Sequence, residues 1–410
     1  MRGNNMKHRK LLTIVGTAFL TLGITVTALA GVWKQDDIGW WYQEGDGSYP
    51  VDTWKWIDGN NDGVEECYYF DSTGYLLTSI TTLDGYQVNE NGAWIVGSDV
   101  QRKKTEIYAE ISDLYTYKEM QRDLSQLQGR FPEVPIEVES LAQTIDEREV
   151  YHIVVGEESA SKHILITGAI HAREYITAQL VMKQLLDVCY RYPEYVQMDD
   201  TVAFHFVPMV NPDGVTISQL GLDGIKREDI RQTVLQIIQN DSAKNLSEHL
   251  IQWKANARGV DLNRNFDALW ENYKIGPKIP SSYRYKGTAP HSEVESKALV
   301  DLTERIDFDA TLNYHTQGEV IYWYFGQSDT LLEKNRKLAD LGSRCTGYKI
   351  IENDPSQDGL GYKDWAIQKK GIPGLTIEVG RGENPVPYGQ MTSIWEQNKN
   401  LLAMLLQEFL

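Results

Sequence analysis

At 410 residues, the chain exceeds one ordinary hydrophobic core and calls for a domain of catalytic size plus something smaller. Its 58 Asp and Glu against 40 Lys and Arg disfavour nucleic acid as a partner, because a polyanion is repelled. Cys67, Cys189 and Cys345 are too few and too scattered for a disulfide framework or a thiolate metal site; they read as buried thiols, with a Cys189–Cys345 bridge left open.

Residues 1–30 read as a secretory signal: Arg2, Lys7, Arg9 and Lys10 precede the apolar run Leu11 to Leu29 and the small-residue site Ala28-Leu29-Ala30. Cleavage leaves a secreted chain starting at Gly31, with 36 basic and 58 acidic residues and a net charge of −22, and with no stable membrane span.

Over residues 31–97, Trp33, Trp40, Trp41, Tyr42, Trp54, Trp56 and further aromatics alternate with Gly, Asp and Asn. Turn signals at Asp46-Gly47, Asp62-Gly63, Ser72-Thr73-Gly74 and Asn91-Gly92 give this region a β-hairpin rhythm without helices. Asp58 to Gly63 matches the first half of a calcium loop, but the twelfth position is Tyr69 where a Glu is needed, so a polar hairpin turn is the better reading. The units from Tyr68 to Leu76 and from Asp84 to Trp94 look like degenerate copies of one repeat. They resemble the cell-wall-binding (choline-binding-type) repeats of secreted bacterial proteins. That resemblance implies a wall polymer as partner, held by aromatic faces.

Residues 98–107 read as a short polar linker, and residues 108–410 as the second domain. Thr116 caps a helix over Lys118 to Gly129; Ile136–Val138 and Glu149–Val155 read as strands. Strand Ile164–Ile166, helix Ile176–Tyr190, strand Val202–Val207, helix Ser292–Arg305, strand Ala310–Tyr314 and strand Gly374–Val379 follow. This alternation predicts an α/β fold: a mixed, mostly parallel sheet covered by helices on both faces. Ligands of such sheets sit at the carboxyl ends of strands. His171, His315 and Glu378 all fall there. His171 and Glu174, three apart after a strand, can converge on one metal ion if the chain turns at once. The spacing alone is weak evidence, and His152, His163, His205 and His291 have no comparable support.

Several blocks then match one family in order: Gly168 to Glu174, Asn211-Pro212-Asp213-Gly214, Gly259 to Phe266, Leu312 to His315, Asp364-Trp365 and Thr376-Ile377-Glu378. The region from about 112 to 405 resembles the zinc metallocarboxypeptidases. The resemblance implies one zinc ion held by His171, Glu174 and His315, with Asp261 behind the first histidine fixing its tautomer. It makes Glu378 the general base. The cation at the oxyanion falls on Lys254, where the family has an Arg, or on Arg258 four residues later. Asn263 and Arg264 match the pair that grips a substrate carboxylate. Lys363, just before Asp364, falls at the floor of the side-chain pocket and favours an acidic or zwitterionic side chain. The family's mobile tyrosine falls at Ser356, with Tyr348 and Tyr362 the nearest aromatics.

Together these readings describe a secreted, wall-associated zinc peptidase acting on peptidoglycan stem peptides, at a γ-D-glutamyl-diaminopimelate bond. The rivals are a carboxypeptidase releasing acidic residues from ordinary peptides and an inactive wall-binding protein.

Overall fold

The computed structural model describes residues 31–44, 47–60, 63–157, 159–352 and 360–410. The signal segment 1–30, the Asp46 and Asp62 turn positions and Ser356 lie outside the described residues.

The amino-terminal region is all β. Strands β1 (Val32–Gln35) and β2 (Trp40–Gln43) form a hairpin, and β3 (Thr53–Ile57) pairs with β4 (Val64–Phe70). Four short strands, β5 (Ile80–Thr81), β6 (Gln87–Val88), β7 (Trp94–Val96) and β8 (Asp99–Val100), make a second meander. A sheet this small cannot bury much aliphatic surface, and aromatics supply the core instead. Trp33 packs against Tyr42, Tyr68 and Phe70, and Trp54 packs against Tyr69, Tyr86 and Trp94, mostly edge to face.

The expected linker is not a linker. Residues Arg102–Lys104 form β9, which pairs antiparallel with β4 and completes a three-stranded sheet. The reason is electrostatic as well as backbone pairing: Arg102 meets Glu66, and buried Glu65 is shared between Lys103 and Arg122 of the following domain. A cavity of about 910 Å³ lies along this seam, lined by Lys55, Trp56, Arg122 and Lys226 among others.

The second domain is built on one eight-stranded sheet. Its strands are β10 (Ile136–Gln143), β11 (Glu149–Val155), β12 (Lys162–Thr167), β13 (Val202–Val207), β14 (Ala310–His315), β15 (Val320–Tyr322), β16 (Lys349–Ile351) and β17 (Gly374–Glu378). The spatial order is β10-β11-β13-β12-β14-β17-β15-β16. The four central strands, β13, β12, β14 and β17, run parallel, while β11 and β15 run antiparallel to their central neighbours. Helices cover both faces. On β12, Ile164 and Ile166 join the layer holding helices Ile176–Tyr190, Asp329–Thr346 and Leu401–Glu408, while Leu165 joins the opposite layer with helix Val294–Arg305. That alternation is the period-two side-chain rule of a strand buried on both sides.

Helix Tyr117–Arg130 starts at a capping box in which Thr116 and Glu119 satisfy each other's backbone donors. All three cysteines are free; Cys67 and Cys189 are buried as expected, whereas Cys345 is only half-buried. His152, His205 and His163 form a hydrogen-bonded row across β11, β13 and β12 that starts at Glu139. Among the described residues no helix is long and apolar enough to cross a membrane.

Candidate active site

His171 and Glu174 are placed by a turn that begins where β12 ends. Only glycine fits at 168, since a Cβ there would lie 2.8 Å from the Thr177 carbonyl oxygen and 2.9 Å from that of Pro208. Thr177 Oγ1 accepts the Ala169 N–H and donates to the Glu174 carbonyl, which ties the turn to the helix that follows. His315 and Glu378 are register partners at the carboxyl ends of β14 and β17. Four side chains from three neighbouring parallel strands therefore meet at one edge of the sheet.

His171, Glu174 and His315 are buried, with ligand atoms within 4.8 Å of one another. His171 Nδ1 lies 2.9 Å from Glu174 Oε1; His315 Nδ1 lies 3.0 Å from Glu174 Oε2 and 3.1 Å from His171 Nδ1. Two imidazole nitrogens converging on one carboxylate suit a shared cation, and ligands about 2.1 Å from a tetrahedral zinc stand about 3.4 Å apart. Two nitrogens and one carboxylate form the donor set of a zinc site with a free coordination position. The residues fit the ion, which would supply Lewis acidity here.

Asp261 sits behind His171, with Oδ1 3.3 Å from His171 Nε2 and Oδ2 3.7 Å from Lys254 Nζ. Burial raises its pKa, but the charges of Lys254 and His171 outweigh that and hold the carboxyl well below the usual range. Glu174 is lowered in the same way, burial being outweighed by His171 and His315. Glu378 moves the other way. Burial pushes its carboxyl up to about 7, against the pull of His315, with Glu174 adding to the rise and Lys254 and Arg264 opposing it.

Of the two oxyanion candidates, Lys254 is buried within reach of Glu378's charge and over the Tyr283 ring. Arg258 is not brought to the site. Its side chain is 58% exposed and faces Glu293, because Asn256 Oδ1 accepts the backbone N–H groups of Arg258 and Val260 and closes a turn that carries Arg258 outward.

Asn263 Oδ1 accepts the Tyr362 N–H, so the segment carrying Asn263 and Arg264 is tied to the segment carrying Lys363. Arg264 is buried and lies near the Tyr273 ring, donating through Nη1 to the Asn263 carbonyl. Lys363 is 3% exposed. It is not the lone cation that the sequence suggests: its Nζ is 2.6 Å from Asp364 Oδ1 and 3.4 Å from the Tyr324 carbonyl oxygen, with the Phe325 ring beside it. Lys363 and Asp364 form a buried ion pair. Tyr348 donates to Gln397 and Tyr362 pairs with Thr303, both buried, so neither stands in for the mobile tyrosine.

The sequence reading missed the cations around Tyr283. Arg173 lies inside the motif itself, between His171 and Glu174, where the spacing of the two ligands gives it no separate signal. Arg284 sits in an irregular loop with no periodicity to mark it.

The zinc carboxypeptidase family profile matches residues 120–401. Gamma-D-glutamyl-L-diamino acid endopeptidase 1 of Lysinibacillus sphaericus is 34% identical over 295 residues, covering 69% of this chain and 70% of that one. Among solved structures, bovine thrombin-activatable fibrinolysis inhibitor matches with TM-score 0.56 at 19% identity, over 73% of this chain and 97% of that one. Carboxypeptidase A of Helicoverpa armigera matches with TM-score 0.55 at 16% identity, over 72% and 74%. These structures share the fold. The chain belongs to the zinc carboxypeptidase family and is a hydrolase of the zinc metallopeptidase type.

Proposed function

We propose that this hydrolase cleaves the bond between the γ-carboxyl of D-glutamate and meso-diaminopimelate in peptidoglycan stem peptides. On this reading it is secreted and held at the wall by its aromatic β region. The observation that carries the substrate choice is the buried Lys363–Asp364 pair at the pocket floor. A side chain ending in both an ammonium and a carboxylate offers each member of that pair an opposite charge. An apolar side chain would leave the pair dry with nothing in return, and a singly charged one is repelled by half of it. The related Lysinibacillus enzyme is named for γ-D-glutamyl-L-diamino acid linkages, which supports the same reading.

The other side chains take their roles from position. Arg264 with Asn263 grips the carboxylate beside the scissile bond. Lys254 stabilises the developing oxyanion. Glu378 takes a proton from the attacking water and returns it to the leaving nitrogen. Asp261 holds His171 in orientation. For the β region, Trp40, Tyr49 and Tyr86 leave ring surface exposed, as a polymer-binding face requires.

The test is digestion of L-Ala-γ-D-Glu-meso-diaminopimelate beside an ordinary peptide ending in Glu, read by mass spectrometry. Release of free diaminopimelate and L-Ala-D-Glu is expected. An intact tripeptide together with free Glu from the ordinary peptide would contradict the proposal.

A further inference from the structure

Tyr283, 39% exposed, carries three cations around one ring. Lys254 Nζ lies 5.2 Å from the ring centroid, Arg284 Cζ 4.9 Å and Arg173 Cζ 5.8 Å. Lys254 has Asp261 as a partner, and Arg173 donates to Gln252 Oε1. Arg284 has no carboxylate within ion-pair distance among the described residues. The Nε atoms of Arg173 and Arg284 are buried without a hydrogen-bond partner. Like charges so gathered repel, and an aromatic face offsets only part of that. An anion is the missing partner.

The loop is shaped to hold Arg284 there. Arg284 takes a left-handed backbone, φ 59°, that ordinary side chains avoid. Its carbonyl oxygen packs so closely on Gly276 that a Cβ at 276 would lie 2.4 Å from it and 2.7 Å from the Tyr273 ring.

The proposed reaction, on which this inference rests, says what the anion is. A γ-linked glutamate enters the scissile bond through its side-chain carboxyl and keeps its α-carboxylate free. That carboxylate stands four bonds from the scissile carbonyl carbon, a reach of about 5 Å at ~1.5 Å per bond. Among α-linked residues only glutamate keeps a carboxylate at the same four-bond distance, and there the peptide nitrogen branches from the carbon next to the scissile carbonyl; other α-linked residues have none. Lys254, which the proposed reaction puts at the oxyanion, and Arg284 share the Tyr283 ring, 5.2 Å and 4.9 Å from its centroid, so one cation is available for each end of such a group. We infer that Arg284, with Arg173 beside it, binds the free α-carboxylate on the acyl side of the substrate and so selects a glutamate whose α-carboxyl is free over one in which it is amidated.

The test compares L-Ala-γ-D-Glu-meso-diaminopimelate with the same tripeptide carrying D-isoglutamine, in which only that carboxylate becomes a carboxamide. The zinc-loaded enzyme is expected to prefer the carboxylate by about ten- to a hundredfold in kcat/KM, the worth of a charge-assisted hydrogen bond. Arg284→Gln is expected to bring that ratio near one, with zinc content and melting temperature as folding controls. Arg284→Lys, which keeps the charge and loses the fork, is expected to retain part of the ratio and serves if the Gln variant does not fold. Equal cleavage of both tripeptides by the parent, or a parent-like ratio in Arg284→Gln, overturns this inference while leaving the proposed reaction standing. Cleavage of neither tripeptide overturns the proposed reaction, and this inference with it.

Discussion

Lys363→Met puts the substrate pocket to a quantitative test. The parent side chain is 3% exposed, with its ammonium 2.6 Å from Asp364 Oδ1. Methionine keeps most of the stem's volume and removes the charge, so Asp364 is left as a buried carboxylate whose remaining hydrogen bond comes from the Gly361 N–H. Removing one member of a buried ion pair costs about 3–5 kcal/mol, most of it the penalty of the charge left behind. Lys363→Met and Asp364→Asn should each therefore destabilise strongly in urea. The double variant should be less destabilised than the sum of the two, because it leaves no unpaired charge. Activity follows a different rule. Losing the charge-assisted bond to the substrate's distal carboxylate costs about 1.5–3 kcal/mol, roughly ten- to a hundredfold in kcat/KM on diaminopimelate peptides. Urea melts of the four proteins and kcat/KM on the tripeptide check both numbers. Additive stabilities, or a Lys363→Met enzyme with parental kcat/KM, would refute the ion-pair floor.

His315→Ala should lose the metal, since two ligands hold zinc poorly; stoichiometric zinc by elemental analysis would remove His315 from the site. Glu295 is buried, and burial first, then the charges of Asp213 and Glu293, push its carboxyl up to about 8. A raised carboxyl favours the fold while protonated, so its contribution is full below the unfolded pKa near 4.5 and is lost as pH rises through 8. Glu295→Gln should therefore gain stability over the parent between pH 5 and pH 8, by an amount on the order of a few kcal/mol; a pH-independent difference in urea melts would contradict this. Deleting residues 31–104, the boundary set by β9, should reduce action on intact walls far more than on soluble tripeptide, because tethering raises local substrate concentration without altering the chemistry. Equal losses on both would show that the β region belongs to the catalytic fold.

Much of the catalytic domain is legible in the chain because its central strands are apolar runs that end in polar, chemistry-bearing residues. Ala310–His315 and Gly374–Glu378 place His315 and Glu378 at the expected strand ends, and helix Ile176–Tyr190 has the bounds its apolar pattern predicts. The order of the strands is not written in any local pattern; it follows from which faces can be covered together. Strands β8 and β9 read as a linker because Asp99 to Lys104 is polar except for Val100, and what fixes β9 is pairing with β4 and the acids Glu65 and Glu66, which only the fold brings opposite. The pairing of Lys363 with Asp364 was equally hidden. Residues adjacent on a helix ordinarily point apart, and it takes burial under Tyr324 and Phe325 to fold the lysine back. Arg258 was excluded by Asn256 and Glu293, partners whose relation to it is purely tertiary.

The most direct measurement of the central claim is single-turnover hydrolysis of L-Ala-γ-D-Glu-meso-diaminopimelate by zinc-loaded Glu378→Gln. The exchange is nearly isosteric and removes the proton acceptor while leaving His171, Glu174 and His315 in place. One zinc per chain with hydrolysis slowed by about 10² to 10⁴ is the expected result. Near-parental turnover at full zinc occupancy would contradict the assignment of Glu378 as the base at this centre.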